Sequence, residues 1–254
     1  EDAAQALKRQ REAEEAPDDT KRRRQDSSCW FCIDQIKEDA RHLVVSHGDY
    51  TYVSLAKGGL VDFHVLIIPM EHYTGSNTIH SGIQDEIGQY IDSLTAFFES
   101  QGQYIAMYER NIHFGGNASH MNLQVVPLDK RIREEEVKSA FLARAMGNSL
   151  AFDDYKFGDK LSEQFFLFAL PSEKFLYRHK GKGKGHGKGK GEKFDAKFGR
   201  DVLAQVLGVP AAADWKSCVR PSDEEKRIAD RFKAKFNKFD WTLNRNKKQG
   251  RKPR

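Results

Sequence analysis

Cysteine is scarce in this chain of 254 residues: there are three, two of them in Cys29-Trp30-Phe31-Cys32. That count excludes a disulfide-stapled scaffold, and in a reducing compartment a C-x-x-C pair reads as a metal or redox motif. Long apolar runs are missing as well. No stretch approaches the roughly 18 residues a membrane span requires, and no signal-peptide pattern opens the chain, so no membrane is expected among its partners. There is no initiating methionine. The chain opens on Glu1 and reads as a piece of something longer.

Acid is missing only in places. Between Arg178 and Lys193 seven Lys/Arg face one Glu, and from Leu243 to Arg254 six Lys/Arg face none. Each arm carries +6 of a net charge of +5, which leaves the rest of the chain at −7. The folded body is therefore not a uniformly basic grip. Arms of this kind supply salt-sensitive, sequence-blind attraction to phosphate.

What is present divides the chain into four stretches. Residues 1–27 are polar, lack an apolar stripe to bury, and contain Lys21-Arg22-Arg23-Arg24, a candidate nuclear-import run. They are read as a linker. From 28 to about 150 the pattern predicts an antiparallel sheet with flanking helices. Strands are expected at Leu43–Val45, Tyr50–Leu55, His64–Pro69, Tyr104–Tyr108 and Met121–Pro127. An amphipathic helix carries Ile83, Ile87, Ile91, Leu94 and Phe98 and stops near Gly102, and a second spans Glu134–Ala145.

Residues 151–243 predict a smaller α+β domain: a hairpin (Phe165–Leu170, Lys174–Tyr177), a helix over Arg200–Leu207, and a helix opened by a capping box at Ser222–Glu225. Within this stretch the Gly/Lys run 181–193 cannot bury a core and is read as a loop. Residues 244–254 form the basic tail. The fold class is α+β.

Chemistry concentrates in three short motifs: Cys29-x-x-Cys32, Pro69-Met70-Glu71-His72, and His120-Met121-Asn122-Leu123-Gln124. Strand periodicity puts His120, Asn122 and Gln124 on one face and Met121, Leu123 and Val125 on the other.

These motifs resemble the histidine-triad superfamily of nucleotidyl hydrolases and transferases. Its members run an apolar strand into Pro-x-x-His and carry His-x-His-x-His or His-x-His-x-Gln on a later strand. In the zinc-containing branches the resemblance implies Zn²⁺ held by Cys29, Cys32, His72 and His120. Two thiolates and two imidazoles leave no open position, so the zinc would be structural. The middle histidine, the covalent nucleophile of active members, is replaced here by Asn122. A carboxamide nitrogen has a delocalised lone pair and cannot attack phosphorus; losing such a nucleophile costs on the order of 10⁴-fold or more. The residues thus point to a fold kept for binding rather than an enzyme.

The closer resemblance is to the CwfJ C-terminal pair of domains of Cwf-nineteen-like splicing proteins. It rests on CWFC, HLVV, LAKGGLVDFHVLIIPMEHY, ERN and SHMNLQVVP in the first stretch, and on FGRDVLA, Asp214-Trp215 and FDWTL in the second. It implies a nuclear role in pre-mRNA splicing on late or intron-lariat spliceosomes, with RNA, spliceosomal proteins and lariat debranching enzyme as partners. Asn122, Gln124, Lys57, Asn111, Gly116 and Asn117 lie where relatives line the nucleotide pocket. His64, His113 and Tyr108 are further cleft candidates, and Trp30, Phe31 and Phe63 are candidates for stacking on bases. Two alternatives stay open: a hydrolase or transferase using His113 or His64 as its nucleophile, and a protein scaffold that never touches RNA.

Overall fold

The structure is a computed structural model and describes residues 29–113, 120–156, 159–179 and 194–243. The segment 1–27 with its basic run, Gly116 and Asn117, the Gly/Lys run and the basic tail lie outside the described residues.

Eight strands form one sheet: β1 (Val44–His47), β2 (Thr51–Leu55), β3 (Val65–Pro69), β4 (Gln103–Asn111), β5 (Leu123–Asp129), β6 (Asp153–Asp154), β7 (Phe165–Ala169) and β8 (Lys174–Arg178). Their order is β1-β2-β3-β5-β4-β7-β8-β6, with every neighbouring pair antiparallel. Among the described residues four α-helices cover it: α1 (Ser81–Glu99), α2 (Glu134–Gly147), α3 (Phe198–Val206) and α4 (Ser222–Phe236). This is the expected α+β arrangement. The strands of residues 151–243 join the same sheet, because β7 pairs with β4 from Met107↔Ala169 to Asn111↔Phe165.

All five side chains of β2, and all five of β3, are buried, as covering on both faces of the sheet requires. Val53, Leu55, Val65 and Ile67 face a core filled by Ile83, Ile87, Tyr90, Leu94, Phe97 and Phe98 of α1. The alternate residues Tyr52, Leu66 and Ile68 face the other way, against Phe31, Ile33 and Ile36. A second core under α2 and α3 contains Phe141 stacked on Phe168, with centroids 4.4 Å apart.

One polar side chain on the buried stripe of α1 organises the first hairpin. The Glu86 carboxylate accepts the backbone N–H groups of Asp49, Tyr50 and Thr51 at 2.8–3.0 Å and the Thr51 hydroxyl at 2.8 Å. Gly48 stands against it, where an added Cβ would fall 2.5 Å from the carboxylate.

α4 departs from expectation at its start. Pro221 is the N-cap, and no side chain caps the helix. Glu225, expected to close a capping box, lies on the buried stripe with Ile228, Ala229, Phe232 and Phe236, its carboxylate 3.3 Å from His42 Nε2. That stripe packs into the first core, so the last helix completes the first stretch. The terminal FDWTL follows it there: Trp241 meets Tyr90 edge to face, and the Thr242 hydroxyl lies 3.4 Å from Ser46 of β1.

Candidate metal centre and the adjoining cleft

Cys29 and Cys32 sit on the turn before β1, His72 lies three residues past the end of β3, and His120 leads into β5. Because β3 and β5 are neighbours, the two histidines arrive side by side, their rings edge to face at 4.9 Å. The Tyr52 hydroxyl donates to the Phe31 carbonyl at 2.7 Å and pins the cysteine turn to the sheet. All four donor atoms lie within 4.8 Å of one another.

The spacings fit a tetrahedral ion. Cys29 Sγ is 3.4 Å from His120 Nδ1, and Cys32 Sγ is 3.5 Å from His72 Nδ1 and 3.6 Å from His120 Nδ1. A tetrahedral metal with bonds of ~2.3 Å to sulfur and ~2.0–2.1 Å to nitrogen separates such donors by about 3.6 Å. The far side of His120 is set for the task. Its Nε2 donates to the Pro69 carbonyl at 2.9 Å, which leaves the Nδ1 lone pair facing the thiols. Burial pushes the Cys29 thiol up, but hydrogen bonds with His120 and His72 and one to the Phe31 backbone outweigh it and bring it down to about 5. The four residues could hold a metal.

Beside this centre, on the sheet face of Tyr52, Leu66 and Ile68, a cleft of about 520 Å³ opens. Its floor is apolar near β2 and β3 and polar where Tyr108, Asn122 and Gln124 line it. Trp30 and Phe31 of the cysteine turn line it too, as do Lys197, Arg200 and Trp215 from the C-terminal stretch. Among the described residues, Lys57 and Arg110 bring its cations to four, and none of those lining it is acidic. The amides at the start of β5 and just before it form a ladder. Asn122 Nδ2 donates to the His120 carbonyl at 3.0 Å, Gln124 Nε2 donates to Asn122 Oδ1 at 2.5 Å, and the Tyr108 hydroxyl reaches Gln124 Oε1 at 3.5 Å. Asn122 thus ties the cleft floor to the backbone of a candidate metal ligand.

Among the expected site residues, the structure brings Asn122, Gln124 and Lys57 into the cleft, together with Tyr108, Trp30 and Phe31. It does not bring Asn111. Strand alternation from Tyr108 turns Arg110 into the cleft and Asn111 to the opposite face, where its amide donates to Asn77 and the Glu163 carbonyl. Phe63 does not reach it either, since it packs against Phe97 and Phe232 in the first core. His64 is buried beneath the floor. Its Nδ1 accepts the Leu60 N–H, and burial together with the Arg200 charge holds it down at about 3. The His113 backbone N–H donates to Gln164, and the residue does not line the cleft. Lys197, Arg200 and Trp215 lie far along the chain from the other lining residues, and sequence distance hides their approach to the cleft. Arg110 was within reach of period-two counting from Tyr108.

Next to Asn111, the Glu109 carboxyl is buried and accepts the Ser76 N–H at 2.8 Å. Burial, only partly opposed by the bonds from Ser76, raises it to about 7 from an ordinary 4.5. The folded chain therefore holds this proton more tightly than the unfolded one. Its contribution to stability is full below about 4.5, declines as pH rises, and is lost above about 7. Glu109→Gln, which keeps an acceptor for Ser76, is expected to leave stability near pH 4.5 unchanged. At pH 8 it should raise stability by about 3 kcal/mol. Parallel urea melts at the two pH values check this, and equal gains at both would refute it.

The family model described as "Protein similar to CwfJ C-terminal" matches residues 16–142. CWF19-like protein 1 of Xenopus laevis is 34% identical over 218 residues, covering 85% of this chain and 39% of that protein. CWF19-like protein 1 of Homo sapiens is 31% identical over the same shares. Zinc finger CCCH domain-containing protein 59 of Oryza sativa is 34% identical over 87% of this chain and 36% of its own length. The chain thus spans a little over a third of the length of these relatives. No helix among the described residues is long and apolar enough to cross a membrane. With the cysteine–histidine centre, the apolar strand into Pro-x-x-His and the His-x-Asn-x-Gln row all falling within the matched segment, the chain belongs to the family of CwfJ C-terminal-like, CWF19-like proteins.

Proposed function

We propose that this chain is a zinc-stabilised, non-catalytic RNA-binding module of nuclear pre-mRNA splicing, acting on late or intron-lariat spliceosomes alongside spliceosomal proteins and lariat debranching enzyme. The observation that carries the reading is the cleft: four cations, exposed aromatic rings and a hydrogen-bonded amide ladder, with no acidic residue lining it among the described residues. Such a surface suits phosphate and flat bases. Asn122, in the place of the family's nucleophile, offers an amide already committed to Gln124 and the His120 carbonyl. Neither alternative histidine supports catalysis. His64 spends its Nδ1 lone pair on Leu60, and His113 does not line the cleft. Zinc suits the two-thiolate, two-imidazole set better than harder, oxygen-seeking ions.

Binding of the purified chain to branched and linear RNAs of matched sequence across a salt series tests the reading. Preference for the branched form that persists at ~200 mM salt, where bare phosphate attraction has largely faded, is the expected result. Equal, salt-fragile binding of both forms would overturn lariat recognition and leave only the basic arms as RNA contacts.

A further inference from the structure

Two arginines from distant parts of the chain line the same cleft. Arg110 stands two residues beyond Tyr108 on β4, on the same face, and Arg200 belongs to the first turn of α3. α3 approaches Tyr108 closely because the residue before Arg200 is Gly199, where an added Cβ would lie 2.9 Å from the Tyr108 ring. Both guanidiniums act electrostatically on the Tyr108 phenol, whose hydroxyl meets the amide ladder at Gln124.

Arg200 is held rigidly and is not neutralised. Its Nε donates to the Ala212 carbonyl and its Nη2 to the Gly58 carbonyl, each at 2.7 Å. No carboxylate pairs with it among the described residues. Two carbonyls from separate segments fix the fork of the guanidinium, while the charge and the other N–H groups are left to a ligand. A fixed, half-buried, unneutralised arginine is matched by an anion of planar or tetrahedral oxygens. At the rim, the Trp215 backbone lies on Gly58, whose φ of +62° and close contact with the Trp215 carbonyl exclude a side chain there. Trp215 is 37% exposed and lines the same cleft.

We propose that Arg110 and Arg200 together clamp the phosphate of one nucleotide unit over the Asn122–Gln124 ladder, with its base stacked on Trp215. The ligand class is a nucleoside monophosphate unit, either free or as one residue of an RNA strand. The inference rests on the RNA-binding reading and deepens it, by making residues beyond the matched family segment part of the site.

The test uses the full chain and three probes: an eight-nucleotide single-stranded RNA, adenosine 5′-monophosphate, and adenosine. Arg200→Gln and Arg110→Gln are each expected to weaken RNA and monophosphate binding by about 10-fold or more and to lower the salt slope for RNA by about 1. Neither should affect adenosine. Trp215→Ala is expected to weaken all three probes. Melting temperature is measured for every variant. If Arg200→Gln fails to fold for want of its bonds to Gly58 and Ala212, Arg110→Gln decides, since it makes neither bond. RNA binding unchanged in the folded glutamine variants overturns the clamp and leaves RNA binding standing. Monophosphate bound and lost in both variants, with no RNA bound by the parent chain, supports the clamp and overturns the RNA reading. A parent chain that binds none of the probes overturns both.

Discussion

Cys32→Ser, or stripping with a strong chelator, is expected to lower the melting temperature by about 10–15 °C and to abolish binding in the cleft, with one zinc per chain lost in parallel. The turn that carries both cysteines has little else to hold it. Its two 3-10 segments, Ile33–Gln35 and Glu38–Leu43, have no side-chain caps, and the first buries no residue. The second segment is anchored by buried Leu43 and by His42 beside Glu225. Nearer the cysteines the anchors are the Tyr52–Phe31 hydrogen bond, the Ile33 N–H to the Met70 carbonyl at 3.5 Å and a strip of Phe31, Ile33 and Ile36 on the sheet. Structural zinc contributes ~10–16 kcal/mol in isolated zinc-finger peptides. Here two hydrophobic cores stand without it, so a loss of roughly 4 kcal/mol is anticipated, and each kcal/mol shifts the midpoint of a chain this size by about 2–4 °C. Because Trp30 and Phe31 line the cleft, loosening the turn also dismantles one wall of the binding site. Metal analysis with melts before and after chelation checks this. Protein purified without zinc that melts at the same temperature as the loaded form would remove the metal from the account.

Phe232→Ala is expected to cost about 3–5 kcal/mol, as burial of a large ring in a closed core implies, and to lower the single melting transition of the whole chain by about 10 °C. Phe232 is fully buried although it lies in the C-terminal helix. Its ring meets Phe63 at 5.2 Å, Phe97 at 5.3 Å and Phe236 at 5.1 Å. Two of those partners belong to the first stretch, so a cavity there is felt by both. Differential scanning calorimetry reads the result. A variant that melts in two steps, with the first stretch unshifted, would mean that α4 is a detachable appendage.

The elements were legible because each carries its own period. Alternation marked β5, the i, i+4 spacing of Ile83 and Ile87 marked α1, and Phe165–Leu170 with Lys174–Tyr177 marked the β7–β8 hairpin, all within a residue or a few of their positions in the structure. The Ser222–Glu225 pattern misled at α4. A capping box and a buried stripe can share the same glutamate, and packing beside His42 decided between them. Asn111 faces away from the cleft, because in a strand one step along the sequence is a change of face.

By itself the sequence determined the α+β class and the strands and helices, since these depend on local periodicity and residue chemistry. It also supplied the four sulfur and nitrogen donors. Only the tertiary structure decided that they converge within 4.8 Å, that β7 continues the first sheet through β4, that α4 fills the first core, and that Arg110, Arg200 and Trp215 line one cleft. Those facts rest on contacts between residues far apart in the chain, and no local pattern encodes which distant surface an amphipathic face or an unpaired strand edge will cover.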